Sequence, residues 1–319
     1  MQAFILAGGF ATRLWPLTEK RAKPLLPLAG KLIIDHIIEQ IPSDIPITVS
    51  TNAAVKEGFF EWQQESDRKG LKVVVEETKS DDQKLGALGA IATWVEDNQV
   101  DDDILLLTGD NYFGFSIKDF IKSFKTGTAI LAAFDIKKRD LAKSFGTVIM
   151  DKKTGKITGF EEKPKEPKTT LVSTGCSILP KETLPVLIEF AKKHPDNVGG
   201  IFEEFLRKEI EIDCYTFKEP WFDIGSFSAY LDAVKTLVGD QVMLGTNAQC
   251  DDCKCSGSVI IGDNSKVKDA TLTNVVLFDN CTIEDCELEN CIVDNNSILR
   301  GIDLSGKMLR EGTVLMRED

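Results

Sequence analysis

Residues 3–36 read AFILAGGFATRLWPLTEKRAKPLLPLAGKLIIDH. Ala3 to Ala7 form a short apolar run, the length of a buried strand. The run ends at Gly8 and Gly9, which let a backbone turn sharply and approach a ligand closely. Thr12 and Arg13 follow in the same loop, and Lys23 adds a cation ten residues after Arg13. Pro16 and Pro24 stiffen the chain that follows. A strand ending in a glycine turn with exposed N–H groups and flanking cations suits phosphate. Arg offers phosphate a planar fork and Lys a compact charge. A Gly-Gly turn alone is an ordinary turn, so the argument rests on the whole string.

At 319 residues the chain has room for two domains. Its hydrophobic content of 42% is ordinary for a globular protein, and its net charge of −13 argues against a nucleic-acid partner. The first apolar run is too short for a signal-peptide core or a membrane span, so no membrane association and a cytoplasmic location are expected. Eight cysteines without a secretory signal are expected to be reduced. Only two histidines are present. His36 falls in the helical pattern Leu32, Ile33, Ile37, Ile38 and Ile41, which reads as packing. His194 precedes Pro195 near a helix end and reads as a surface residue. Histidine-based nucleophilic catalysis is therefore disfavoured.

Beyond the loop, helical patterns cover 32–41, 53–68 and 86–98, and strand patterns cover 45–50, 72–76 and 104–108. This alternation predicts a mostly parallel α/β sheet with ligands at the carboxyl ends of its strands. Asp110 follows the apolar strand 104–108 directly, where a carboxylate serves either as an Mg²⁺ ligand or as a cap for the helix at 116–124. Residues 148–150 and 156–160 read as a hairpin, followed by Glu161-Glu162-Lys163-Pro164. That charged group is either a solvated turn or a sugar-phosphate contact. Asp223 lies in Trp221-Phe222-Asp223-Ile224-Gly225-Ser226, ahead of a helix at 227–237 that Ser226 is better placed to cap.

From about residue 243 the pattern changes. VIIGDNSKVKDATLTN (259–274), VVLFDNCTIEDCELEN (275–290) and CIVDNNSILRGIDLSG (291–306) align without a gap at a period of 16, and KMLREGTVL (307–315) begins another copy. Apolar residues recur at Ile261, Leu277, Val293 and Leu309, and at Val267, Ile283, Leu299 and Leu315. Asn264, Asn280, Asn296 and Gly312 recur as turn residues. Such self-similarity marks a solenoid of short strands. Cys250-x-x-Cys253 has the spacing of half a zinc site, but no second pair follows and no histidine is near. Several tail cysteines align with small residues of neighbouring coils, which favours core packing.

The opening string resembles the signature of the sugar-1-phosphate nucleotidylyltransferases, G-G-x-G-T-R-L-x-P-L-T-x(3–4)-K-P-x(2)-P. It matches at Gly8, Gly9, Thr12, Arg13, Leu14, Pro16, Leu17, Thr18, Lys23, Pro24 and Pro27, and departs at Ala11. GDNYFG around Asp110, EEKPKEPKT around Lys163 and WFDIGS around Asp223 resemble segments of glucose-1-phosphate thymidylyltransferases. The resemblance implies a Rossmann-like α/β nucleotidyltransferase domain over 1–240 and a small left-handed parallel β-helix over 241–319. It implies Mg²⁺-dependent transfer of a nucleotidyl group from an NTP to a sugar 1-phosphate. Arg13 and Lys23 would be catalytic. Leu6, Ala7, Gly8, Gly9, Thr12, Arg13, Gln83 and Gly86 would bind nucleotide, and Gly146, Glu162, Lys163 and Gly175 the sugar phosphate. Asp110 and Asp223 would hold the metal. The substrates expected are dTTP or UTP with glucose 1-phosphate. Gln83 lies only three residues before Gly86, and LGALGA looks more like guanylyltransferases, so mannose-1-phosphate guanylyl transfer is the alternative. A non-catalytic subunit would be expected to lose one of these charged residues. Acyl transfer in the tail would need a histidine base, and 245–319 holds none. The tail is expected to mediate homo-oligomerisation and to contribute no chemistry.

Overall fold

The computed structural model describes residues 1–9, 12–76 and 86–317. Two compact units divide the chain, Met1–Phe10 with His36–Trp221, and Ala11–Asp35 with Phe222–Asp319.

The first unit is built on a nine-stranded sheet. Gln2–Leu6 lies between Ile47–Asn52 and Ile104–Thr108, and Leu71–Glu76 flanks Ile47–Asn52, all parallel. Phe4, Ile5, Leu105 and Leu106 are all buried. Such unbroken apolar runs are what a sheet covered on both faces requires. Helix Ala87–Asp97 packs Leu88, Ile91, Trp94 and Val95 into the same core, with the Trp94 ring 4.7 Å from that of Phe4. Leu171–Leu179 runs antiparallel beside Ile104–Thr108, and its pairing with Ala129–Asp135 slips register between Ser173 and Ser177. Gly146–Met150 and Ile157–Glu162 form the expected hairpin.

Some helices are shorter than their sequence patterns. The helix expected over 53–68 spans Lys56–Glu65, because Asn52 accepts the Ala54 N–H at 2.8 Å and turns the chain first. Ser116 caps Ile117–Ser123 by accepting from the Asp119 N–H at 3.1 Å, and Ser226 caps Phe227–Val238 by accepting from the Ala229 N–H at 3.2 Å. Neither Asp110 nor Asp223 is a helix cap. His36 is half-buried edge-on to Tyr112, and His194 is exposed against Phe190.

The tail in the second unit is a parallel β solenoid. Ile261, Leu277, Val293 and Leu309 stack in register, as do Val267, Ile283, Leu299 and Leu315. These are the two apolar columns read from the repeats. One further coil precedes them: Val242–Leu244 stacks on Val259–Ile261, and Gln249–Asp251 on Lys266–Lys268. Its offset is 17 residues (259 − 242), so a gapless period of 16 passes over it. Each coil turns at left-handed residues. Asn264, Asn280, Asn296 and Gly312 form one such column, Asp269, Asp285 and Gly301 a second, and Asn274, Asn290 and Gly306 a third. Asn, Asp and Gly tolerate that geometry best. Cys281, Cys286 and Cys291 are buried, while Cys250 and Cys255 pair with the core residues Val267 and Leu272. Burial raises the Cys281 thiol to about 11 and shifts those of Cys286 and Cys291 upward, which suits packing and opposes thiolate chemistry.

Candidate active site

In the first unit, a cavity of about 230 Å³ opens at the carboxyl ends of the parallel strands. Leu6, Gly8 and Gly9 line it from the first strand, Glu76 from the third, and Thr108 and Asp110 from the fourth. Gly86, Asp196 and Val198 face them. The turn is held from below. Ala7 donates its N–H to the Ser50 carbonyl at 2.8 Å, and the buried Asn52 amide donates to the Gly8 carbonyl at 2.7 Å. Gly86 has φ of 80°, and a Cβ there would lie 2.4 Å from the Pro195 carbonyl oxygen. That carbonyl accepts the Leu88 and Gly89 N–H groups at 2.8 and 3.0 Å, so a side chain at 86 would break the joint. Gln83 lies outside the described residues.

Asp110 is oriented by Asn111. The Asn111 amide donates to Asp110 Oδ1 at 2.9 Å and to Thr108 Oγ1 at 2.7 Å, and its oxygen accepts from Trp221 Nε1 at 2.9 Å. Three of the four bonding positions of the amide are used. Gly175 sits in the register slip with φ of 76°, and a Cβ there would lie 2.3 Å from Thr108 Oγ1. The slip thus closes the wall behind Thr108. Glu162 lies opposite Gly146 in the hairpin, 3.7 Å from Lys163 Nζ. A Cβ on Gly146 would lie 2.8 Å from its carboxylate, and one on Gly199 1.8 Å. Burial raises the Glu162 carboxyl, with Lys163 opposing the shift and Glu203 adding to it. Gly146, Glu162 and Lys163 thus form one cluster.

The second unit brings Arg13, Lys23 and Asp223 together. Lys23 Nζ lies 3.9 Å from Asp223 Oδ1. A Cβ on Gly225 would lie 3.0 Å from Arg13 Nη2 and 3.4 Å from Asp223 Oδ1. Lys23 is nearly buried, whereas Thr12 and Arg13 are exposed. Two cations beside one carboxylate suit a polyanion bound with a cation.

Residues 2–239 match the nucleotidyl transferase family. The chain belongs to that family. Among similar curated proteins, the bifunctional protein GlmU of Methanocaldococcus jannaschii is 28% identical over 245 residues, 75% of this chain and 54% of its own length. A glucose-1-phosphate thymidylyltransferase of Streptomyces antibioticus is 24% identical over 299 residues, 85% of this chain and 80% of its own. The chain spans between 51% and 62% of the length of the GlmU relatives it matches. A Bacillus anthracis crystal structure described as a glucose-1-phosphate thymidylyltransferase in complex with a sucrose aligns with a TM-score of 0.64. It covers 73% of this chain and 93% of that one at 23% identity, and so bears on the fold.

Several cavity residues of this family member carry no local sequence signal. Glu76 accepts the Ser50 hydroxyl at 2.9 Å, and its Oε1 would lie 3.1 Å from a Cβ on Gly8. Burial raises its carboxyl, Ser50 opposes this, and Asp196 adds to it. Asn52, Asn111 and Asp196 likewise reach the site only through the fold. Asp110 in the first unit and Asp223 in the second each carry a carboxylate, a donor type that Mg²⁺ accepts. Among the described residues no group of three or more His, Cys, Asp or Glu could hold a metal ion. No helix among the described residues is long and apolar enough to cross a membrane.

Proposed function

We propose that the protein transfers a nucleotidyl group from an NTP to a sugar 1-phosphate and releases pyrophosphate. The observation that carries this reading is the strand-end cavity that joins the Gly8–Gly9 turn, Gly86 and Asp110. The sugar phosphate oxygen attacks the α-phosphorus in line, so positioning and charge neutralisation supply the rate. Arg13 stabilises the triphosphate and Lys23 the charge that develops on phosphate oxygens. Glu162 accepts sugar hydroxyls, and Lys163 seats the attacking phosphate. Asp110 and Asp223 would hold Mg²⁺, which neutralises phosphate charge when bound. Residues 1–240 are proposed as the catalytic domain and 241–319 as a left-handed β-helix that mediates self-association.

The proposed substrates are dTTP or UTP with glucose 1-phosphate. Curated relatives bear thymidylyl, uridylyl and adenylyl names. Glu76 favours a second reading, guanylyl transfer. A carboxylate accepts two bonds side by side, and the guanine edge offers N1–H and N2–H donors. The test is a pyrophosphate-release screen of dTTP, UTP, GTP, ATP and CTP against several sugar 1-phosphates. Turnover with one pair assigns the substrates. No release with any pair, from folded protein with Mg²⁺, rejects the reading.

A further inference from the structure

The solenoid grips the segment that carries Arg13 and Lys23. Arg21 Nη2 lies 2.8 Å from Asp294 Oδ1, and its guanidinium stands 5.6 Å from the Phe278 ring centroid. Asp294 is 2% exposed. Glu19 pairs with Arg310 at 3.3 Å, Lys20 with Glu311 at 3.1 Å, and the Arg310 guanidinium lies 5.4 Å from the Trp15 ring centroid. At the far end of the segment, the fully buried Tyr230 donates its hydroxyl to the Pro27 carbonyl. Lys23 therefore lies between two clamps, one on the solenoid and one on helix Phe227–Val238.

The solenoid column under the first clamp departs from its own repeat. Leu277, Val293 and Leu309 stack as equivalent apolar residues, yet the residues that follow them are Phe278, Asp294 and Arg310. An aromatic face, an anion and a cation occupy one column on successive coils; Phe278 and Asp294 both meet the Arg21 guanidinium, and Arg310 meets Glu19 and Trp15. An exposed ion pair contributes little, but a buried carboxylate is costly unless a partner compensates it. Asp294 also accepts the Asn295 N–H at 2.7 Å, and Arg21 supplies the opposite charge.

We propose that Arg21 and Asp294 are positioning residues, and that the solenoid holds residues 12–27 so that Arg13 and Lys23 stand in place before substrate arrives. The tail then shapes the catalytic segment as well as any assembly. This rests on the proposed roles of Arg13 and Lys23, so one arm of the test reads the segment without substrate.

Asp294→Asn leaves the shape and removes the charge. Amide hydrogen exchange in residues 12–27 of the substrate-free full chain should speed up on the order of 10-fold, with the Gln2–Leu6 strand unchanged. Turnover, kcat, should fall by about 10- to 100-fold with smaller changes in KM, as expected when catalytic groups are misplaced. The double variant Arg21→Met with Asp294→Leu replaces the pair by apolar packing and should restore both readouts. Wild-type exchange in Asp294→Asn overturns the proposal. So does a double variant that recovers protection and not turnover, because Asp294 then acts chemically. A wild-type chain that fails to turn over any substrate rejects the function and leaves the exchange arm to decide the clamp.

Discussion

Lys23 lies 3.9 Å from the Asp223 carboxylate and Arg13 stands beside Gly225, so folding brings Asp223 to these two cations from about two hundred residues away. Arg13→Ala and Lys23→Ala should each lower kcat/KM by roughly 10²-fold or more, the usual loss for one preorganised donor. Steady-state assays on folded variants check this, and near-normal turnover removes the residue from the mechanism. Asp110→Asn should lose most activity and regain part of it at higher Mg²⁺, since the amide is a weaker metal donor. Full activity at low Mg²⁺ would discharge Asp110 as a ligand. Glu76 carries a pH signature. Its folded carboxyl titrates above the ordinary value because of burial, so the unfolded chain ionises first and stability falls as pH rises through the folded value. Glu76→Gln should match wild type below about pH 4 and melt higher above it, with the gap opening as the pH rises. Calorimetry across pH reads this, and a gap that is constant with pH would rule out buried charge as its origin. Gly8, Gly9, Arg13 and Lys23 were legible because their chemistry is local and ordered along the chain. Glu76, Asn52, Asn111 and Arg21 were not, because each is meaningful only through a partner that folding brings near.

At the scale of elements, the strands of the sheet were readable from their apolar runs, since burial on both faces leaves no room for alternation. Helix ends were less so where, as at Asn52, a single hydrogen bond redirects the chain. In the solenoid, the corner and core positions showed in the repeat, but the first coil hid behind one extra residue. Two positions probe the coil. Leu288 is fully buried between coils, and Leu288→Ala should cost about 2–5 kcal/mol. Asn280 has φ of 59°, so Asn280→Val should cost about 1–3 kcal/mol while Asn280→Gly stays close to wild type. Denaturant melts of the three proteins measure both, and equal stability of Val and Gly at 280 would contradict the left-handed corner.

For the whole molecule, the ends of the solenoid leave apolar strands at the surface. Val242, Leu244, Val314 and Met316 are each 45–54% exposed on its first and last rungs. Exposed apolar strand residues suit a partner strand, and a second copy of the tail has the matching geometry. Light scattering of the full chain should give a mass above that of one chain, and Leu244→Lys with Met316→Lys should lower it. A full chain that stays monomeric at high concentration excludes this assembly.

The second unit joins residues 12–35 to residues beyond 222, and this has a consequence for how the chain is born. Arg21 leaves the ribosome 273 residues before Asp294 does. At 5–20 residues per second that is a wait of roughly 14–55 s. Throughout it Arg21 lacks its carboxylate partner, and for most of it the Phe278 ring as well. Residues 15–21 are thus among the first made and the last secured, and synthesis that halts before the fourth coil leaves Arg21 without the Asp294 carboxylate.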